Sequence, residues 1–236
     1  SSADIADNAG NSVCSAGEIT GGPCTLRAAI FEAAINVPYT DVIVEIPAGE
    51  YLLTIPPEEA NDTLTGDLDI IPAFDGGYSI SITGTGAQPA VIDANQLDRV
   101  FDIGNTEVKM TNLVIRNGYL DVTEEFIWGG GIRNLGYLTL DHVVVEDNTM
   151  VCDPSDCPWA YGGGIYNANG SLELIASTIQ NNTSPDASAL YTSGADVNIF
   201  HSTIRDNVAS RGETIYTIGA LVTIVNSTLA GNTSAG

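Results

Sequence analysis

The side chains of this chain that could perform acid–base chemistry are mostly carboxylates. Its 236 residues include 30 Asp and Glu, 7 Lys and Arg, and two histidines. A polysaccharide lyase needs a basic residue to abstract a proton, usually beside a cation held by carboxylates. The single lysine, Lys109, falls inside a predicted strand, which leaves Arg133, next to an acidic loop, as the only candidate base. We therefore assign no catalytic residue and expect the chain not to be an enzyme.

Paired carboxylates would be needed for a glycoside hydrolase. With this many acids, some pair meets the required separation by chance. Asp67 and Asp69 alternate with apolar residues in Gly66-Asp-Leu-Asp69, and we interpret them as solvent-facing strand positions. The carboxylate-rich loops make Ca²⁺ the candidate cofactor, although no residue is assigned as a metal ligand.

Two further motifs are better explained by structure than by chemistry. His142 and His201 occupy equivalent repeat positions two coils apart, about 10 Å, which is too far for shared metal ligation. Gly129-Gly-Gly131 and Gly162-Gly-Gly164 lack the Lys-Ser/Thr of a phosphate-binding loop. We predict that these glycines form tight corners where loops return to the fold.

The formal net charge of −23 excludes several classes of partner. Such a surface repels the phosphates of nucleic acids, so no nucleic-acid binding is expected. No apolar run approaches the length of a transmembrane helix, so no membrane insertion is expected. Ser1 opens a polar stretch of small residues, which we interpret as the start of a mature, processed product.

The four cysteines form two close pairs. Cys14 and Cys24 flank a segment that contains Gly and Pro, and Cys152 and Cys157 bracket Asp-Pro-Ser-Asp. A zinc site is the alternative, but no histidine lies near either pair. The spacing favours two disulfides that staple loops, which implies an oxidising compartment and a secreted protein.

An internal repeat determines the predicted fold. Five stretches each run from an apolar residue through a short apolar alternation to a closing Asn or Gly: 108–118, 138–148, 172–182, 197–207 and 222–232. An apolar element precedes each stretch, centred on Phe101, Ile132, Ile165, Leu190 and Ile215. Each unit therefore carries three short predicted strands, and the last units repeat every 25 residues.

Units of this kind are typical of a right-handed parallel β-helix, an all-β solenoid in which stacked coils share one core. A leucine-rich repeat would need denser Leu and a helix in each unit. Like residues should then align in columns. The columns are Asn148, Asn182, Asn207 and Asn232; Ser177, Ser202 and Ser227; Thr178, Thr203 and Thr228; and Tyr166, Tyr191 and Tyr216. The tyrosines follow inward apolar positions and should face outward.

The N-terminal part differs from the repeats. Amphipathic spacing predicts a helix over 25–36, with Thr25 as a candidate N-cap, which would plug the open end of the solenoid. First strands are predicted at 42–46 and 52–55. We predict one β-helix domain over 1–236, with an N-terminal arm and capping helix in 1–40 and coils in 41–236.

Two long insertions leave the same corner of consecutive coils and should lie side by side. They hold the candidate ligand-binding residues, whose rings could stack on sugars: Tyr119, Phe126, Trp128, Trp159 and Tyr161. Aromatic residues also stabilise parallel sheets without any ligand. Both interpretations of these loop residues stay open.

The segment Cys24-Thr-Leu-Arg-Ala-Ala-Ile30 resembles the Cys-Ser-Leu-Arg-Glu-Ala motif of secreted bacterial β-helix proteins. The resemblance continues through 91–94, 99–101, 129–132 and the Asn-Ser-Thr repeats, from Cys14 onward. It implies a pectate-lyase-like β-helix on exported or cell-surface proteins and little about activity. Ala28 stands where the motif usually has Glu, so any salt bridge of that Glu is not implied here.

These observations predict an extracellular or cell-surface structural and adhesive module. The last predicted coil ends near Asn232 without a covering segment, so we expect head-to-tail self-association into a filament, or continuation in a longer parent chain. The alternative is a carbohydrate-binding or polysaccharide-degrading β-helix, for which glycans would be the partners.

Overall fold

The computed structural model describes residues 24–35, 41–58, 64–72, 79–121, 128–153 and 160–234. Its one described helix, α1 (Leu26–Ile35), begins after Thr25, whose Oγ1 accepts a hydrogen bond of 3.2 Å from the Ala28 N–H. The predicted helix and its N-cap are thus confirmed, with ends one residue inside the expected range. The apolar face of α1 packs into the core through Leu26 and Ile30.

Twenty-three described strands follow α1, and they pair in parallel throughout. The first three are β1 (Val42–Leu52), β2 (Leu68–Ile70) and β3 (Ser79–Asp93). The next coils contain β4 (Phe101–Ile103), β5 (Glu107–Thr111), β6 (Leu113–Arg116), β7 (Tyr119–Asp121), β8 (Ile132–Asn134), β9 (Tyr137–Asp141), β10 (Val144–Glu146) and β11 (Thr149–Val151). The remaining coils contain β12 (Ile165–Ala168), β13 (Ser171–Ile175), β14 (Thr178–Gln180), β15 (Thr183–Ser184), β16 (Leu190–Ser193), β17 (Val197–Phe200), β18 (Thr203–Arg205), β19 (Val208–Ala209), β20 (Ile215–Ile218), β21 (Val222–Val225), β22 (Thr228–Ala230) and β23 (Thr233–Ser234).

The strands form three parallel sheets, and each sheet is built of strands from successive stacked coils. We call the twelve-stranded sheet A, in which the long strand β3 joins the β5–β21 series to the β6–β22 series. Sheet B has the order β2-β4-β8-β12-β16-β20, and sheet C has the order β23-β19-β15-β11-β7. The predicted parallel β-helix with a short N-terminal helix is therefore confirmed.

Two details differ from the sequence prediction. Each coil from β4 onward has a fourth strand, in sheet C, because the chain extends again after the closing Asn or Gly. These strands are only two or three residues long, too short to show an alternation in the sequence. The first coil has one long strand, β1, where we predicted two, and residues 53–55 lie outside it.

Ladders of like residues hold the coils in register. The Nδ2 of Asn148 donates to Oδ1 of Asn182 at 2.9 Å, Asn182 donates to Asn207 at 3.0 Å, and Asn207 donates to Asn232 at 2.9 Å. Backbone N–H groups bind serine hydroxyls in a second ladder, from Ser177 to Ser202 and from Ser202 to Ser227. The threonine column Thr178, Thr203 and Thr228 is also in register. The predicted columns are confirmed.

Candidate functional site

The outward positions of sheet B carry one continuous column of polar and aromatic side chains. The register of its strands aligns Asp69, Asp102, Arg133, Tyr166, Tyr191 and Tyr216. Each follows an inward apolar residue by one position, so it points away from the core. The column is charged at its N-terminal end and aromatic over its last three coils, and these two parts have different chemistry.

The charged end is a buried carboxylate cluster. Asp67, Asp69 and Asp102 each have a carboxylate oxygen within 4.8 Å of the others. Their side chains are buried, so the prediction that Asp67 and Asp69 face solvent was wrong. Asp69 does point outward from its strand, but the partly buried Arg99 lies beside it, paired with Asp67 and donating a hydrogen bond to the Trp128 carbonyl.

Arginine side chains pair with two of the three carboxylates. Arg99 Nε lies 2.6 Å from Asp67 Oδ2, and Arg133 Nη1 lies 2.5 Å from Asp102 Oδ2. A fourth carboxylate, Asp98, accepts a hydrogen bond of 2.7 Å from the Arg99 N–H. The Oδ2 atom of Asp69, by contrast, is buried without a hydrogen-bond partner.

Burial and mutual repulsion control the protonation of this cluster. Burial, followed by the charge of Asp102, raises the pKa of Asp69 to about 7. Burial also raises the pKa of Asp67 and of Asp98, against the lowering effect of the Arg99 charge. Burial lowers the pKa of Arg99, but the charges of Asp67 and Asp102 outweigh it and raise that pKa. The cluster therefore concentrates negative charge that its arginines only partly neutralise.

This arrangement favours holding a small cation or a proton over acting on a polymer. A general acid or base must come within hydrogen-bond distance of its substrate. Asp67, Asp69 and Asp102 are at most 7 % exposed, which leaves a polysaccharide no direct access to them. Arg133, the candidate base of the sequence analysis, donates a hydrogen bond from its Nη1 to Oδ2 of Asp102. Burial in the described residues thus argues against a hydrolase or lyase centre here.

The aromatic end of the column is a stack of rings. Tyr166 and Tyr191 lie 4.8 Å apart between ring centroids, and Tyr191 and Tyr216 lie 5.9 Å apart. Trp128 stacks on Tyr166 at 4.9 Å, and Tyr161 stacks on Tyr191 at 4.4 Å. The tyrosine ladder is therefore confirmed, and two of the candidate ligand-binding residues pack on its outer face.

Burial by these covering rings affects tyrosine ionisation. Tyr166 and Tyr191 are only 7 % exposed, although their column faces outward. Burial, with a contribution from Tyr216, raises the pKa of the Tyr161 hydroxyl to about 12. Burial also raises the pKa of Tyr166. The stacked rings thus form a small hydrophobic cluster on the outer side of sheet B, separate from the core inside the coils.

The other sequence-predicted site residues are scattered or undescribed. Tyr119 lies on β7 in sheet C and is half-buried, away from the stack. Phe126 and Trp159 lie outside the described residues. Neither Cys24 nor Cys152 is a free thiol. Their predicted partners, Cys14 and Cys157, lie outside the described residues, so the pairing stays a prediction.

The histidine and glycine motifs have the structural roles that we expected. His142 and His201 adopt positive φ angles of 56° and 53° at equivalent turns of sheet A. The two glycine triplets stack on each other at a corner, where Gly130 N–H donates to the Gly162 carbonyl at 3.0 Å and Gly131 N–H donates to that of Gly163 at 3.0 Å.

Sequence reasoning missed Asp98, Arg99 and Asp102 as members of the cluster. A signal was present, because Asp102 follows the inward Phe101 just as Arg133 follows Ile132. Extending the tyrosine column toward the N-terminus would have placed Asp102 beside Arg133. Nothing comparable marked Asp98 and Arg99, which precede their strand.

Comparisons with known proteins found no match among family models, curated proteins or solved structures. Among the described residues, no helix is long and apolar enough to cross a membrane.

Proposed function

We propose that the chain is an extracellular structural and adhesive module that extends by stacking coils, supplied by a second copy of the chain or by a longer parent chain. The observation that supports this most is the coil β20–β23. Ile224 and Leu229 are 41 % and 49 % exposed, whereas their column neighbours Ile199 and Ile204 are fully buried one coil earlier. The same apolar positions that form the core thus lie open on this coil.

Exposed strand edges accompany these apolar residues. Among the described strands, β20 to β23 each pair with one neighbour, so their outer N–H and C=O groups are placed to pair with another parallel coil. Any coil with the same column pattern fits this edge, and the chain itself carries such coils. In a head-to-tail contact, the partner would supply its N-terminal end, where α1 packs on the first strands.

The side chains of the outward column on sheet B mainly contact one another, which supports a structural module. Rings that could have bound a ligand are stacked on one another, and the carboxylates are buried under Arg99. The net charge of −23 opposes contact between copies, so we expect association to strengthen as salt screens this repulsion.

Sedimentation velocity and negative-stain electron microscopy of the full chain, at low and physiological salt, test the proposal. We expect salt-dependent oligomers or unbranched fibres one β-helix wide, which Leu229→Lys abolishes by placing a charge on the coil edge. Tyr137→Ser is the matched control, because Tyr137 is 56 % exposed on a central coil and should not affect assembly. Monomers at all concentrations and salts would contradict self-association.

A second candidate function is carbohydrate binding, favoured by the stack of aromatic rings on sheet B. Trp128, Tyr161 and Tyr216 are partly exposed, and such faces are suited to sugar rings. Isothermal titration calorimetry with oligosaccharides tests it, with Trp128→Ala expected to lose binding. Tyr137→Ala is the control, since Tyr137 is an exposed aromatic residue outside the stack. Equal responses in both variants would refute a glycan site at this stack.

A further inference from the structure

We propose that Asp67, Asp69 and Asp102 form a binding site for one divalent cation, and that Ca²⁺ is the preferred ion. The site would lie on the outer face of sheet B between the adjacent strands β2 and β4, next to the end that α1 covers. Its test is independent of the proposed self-association, because the site lies on the outer face of sheet B and not on the edge of the coil β20–β23.

The donor set is the first argument. One oxygen of each carboxylate lies within 4.8 Å of the others, a spacing that a single ion can bridge. The register pairs Asp69 directly with Asp102 on adjacent strands, and Asp67 precedes Asp69 by two residues, so regular backbone brings the three together. Carboxylate oxygens are the hard ligands that Ca²⁺ binds in proteins.

The side chain of Asp69 is the second and independent argument. It is 6 % exposed, and among the described residues its Oδ2 has no hydrogen-bond partner. Water is excluded from this oxygen, so an ionised Asp69 needs another source of positive charge. Buried polar atoms without partners are rare in native proteins, and a bound ion is one of the few explanations for them.

Charge counting shows that a partner of this cluster should be positively charged. Asp67, Asp69, Asp98 and Asp102 can carry four negative charges, and Arg99 and Arg133 supply two positive charges among them. Both ion pairs use Oδ2 of the aspartate, so Oδ1 of Asp67 and of Asp102 takes no part in them.

Arg27 is nearby but directs its guanidinium to the backbone. Its Nη1 donates to the Asp67 carbonyl and its Nη2 to the Gly66 carbonyl, each at 2.7 Å. The charge of Arg27 also acts on Asp69, so three arginines face four carboxylates and an excess of negative charge remains for a cation to offset.

The choice of Ca²⁺ over Mg²⁺ follows from the surroundings. Mg²⁺ requires near-ideal octahedral geometry and keeps several water ligands, whereas Ca²⁺ accepts irregular sets of oxygens. A buried site shared with two arginines offers little room for such waters. Bound Ca²⁺ would tie two coils together where Arg27 anchors α1, and binding to the folded state alone would raise its stability.

Isothermal titration of CaCl₂ into the chelator-treated full chain tests the site, together with thermal unfolding in CaCl₂ and in chelator. We expect one Ca²⁺ per chain, an unfolding midpoint that rises in CaCl₂, and a smaller rise in MgCl₂ at the same ionic strength. Asp69→Asn should lose the binding and the shift. In chelator its midpoint should match or exceed that of the parent, because the neutral amide relieves repulsion from Asp102.

Glu107→Gln is the matched control, since it removes one acidic charge at an exposed position on sheet A. This variant should bind Ca²⁺ like the parent chain. No Ca²⁺ binding by the parent would overturn the proposal. So would equal binding by Asp69→Asn and the parent, which would place the ion elsewhere on this acidic chain.

Discussion

Asp69 and Asp102 face each other on the adjacent parallel strands β2 and β4, with carboxylate oxygens within 4.8 Å although both side chains are buried. In-register stacking usually places like residues in contact, and elsewhere in this chain the contact is favourable, as between asparagines or tyrosines. Two buried carboxylates instead repel each other, so this pair depends on Arg99, Arg133 and any bound cation. We therefore expect the stability of this part of the solenoid to depend on ionic conditions.

Breaking the ion pair between Arg133 and Asp102 should destabilise the N-terminal coils. Arg133→Met leaves a buried carboxylate without its partner, and because Arg133 is partly exposed we expect a loss of roughly 1–3 kcal/mol. The measurement is urea unfolding followed by circular dichroism. Arg205→Met is the control, because Arg205 pairs with Asp206 at an exposed site and should change stability by about 0.5 kcal/mol or less. Equal effects of both substitutions would contradict the buried pair.

Interrupting the asparagine ladder at its centre should be costly. In Asn182→Ala, the N–H and the Nδ2 of Asn148 both lose their acceptor, and the carbonyl of Val145 loses its donor. Buried groups left unpaired cost about 1–3 kcal/mol each, so we expect a loss of roughly 3 kcal/mol. Urea unfolding measures it against Asn198→Ala, which removes an asparagine from the outward side of β17. A loss no larger than that of the control would show that the ladder is not important for stability.

Removing the central ring of the aromatic stack should destabilise sheet B. Tyr191 contacts Tyr161, Tyr166 and Tyr216, so Tyr191→Ala should cost about 3 kcal/mol, the lower end for loss of a buried aromatic ring. Tyr191→Phe keeps the ring and should cost less than about 1 kcal/mol. Urea unfolding gives the free energies, and near-ultraviolet circular dichroism reports the stacked rings. A similar loss in both variants would mean that the hydroxyl, and not stacking, stabilises this position.

Alkaline pH should weaken the same stack. Burial raises the pKa of Tyr161 to about 12 in the folded state, above the ordinary value of 10.0. The folded state therefore holds this proton more tightly than the unfolded state, so its contribution to stability is complete below pH 10 and is lost as pH rises toward 12. Tyrosinate absorbance of the parent minus that of Tyr161→Phe isolates this group. A midpoint near 10 would show that Tyr161 is not buried in solution.

The sequence alone determined the repeated part of the fold. Parallel coils stack in register, so a residue type that recurs with the repeat must contact its own copies, and this places the asparagine, serine and tyrosine columns without coordinates. The capping helix followed equally from local spacing and from Thr25, whose hydroxyl satisfies a backbone N–H of the first turn. These features depend on neighbours along the chain or at a fixed repeat.

Only the tertiary structure decided what covers each outward face. The alternation of inward and outward residues along a strand correctly predicts that Asp69 and Tyr166 point away from the core. It does not predict that Arg99 and Trp128 pack against this outward face. Those covering groups come from irregular segments between the strands, and the sequence repeat does not predict the course of these segments. The buried carboxylate cluster could therefore not be predicted from the repeat, because burial depends on contacts between segments that share no pattern in the sequence.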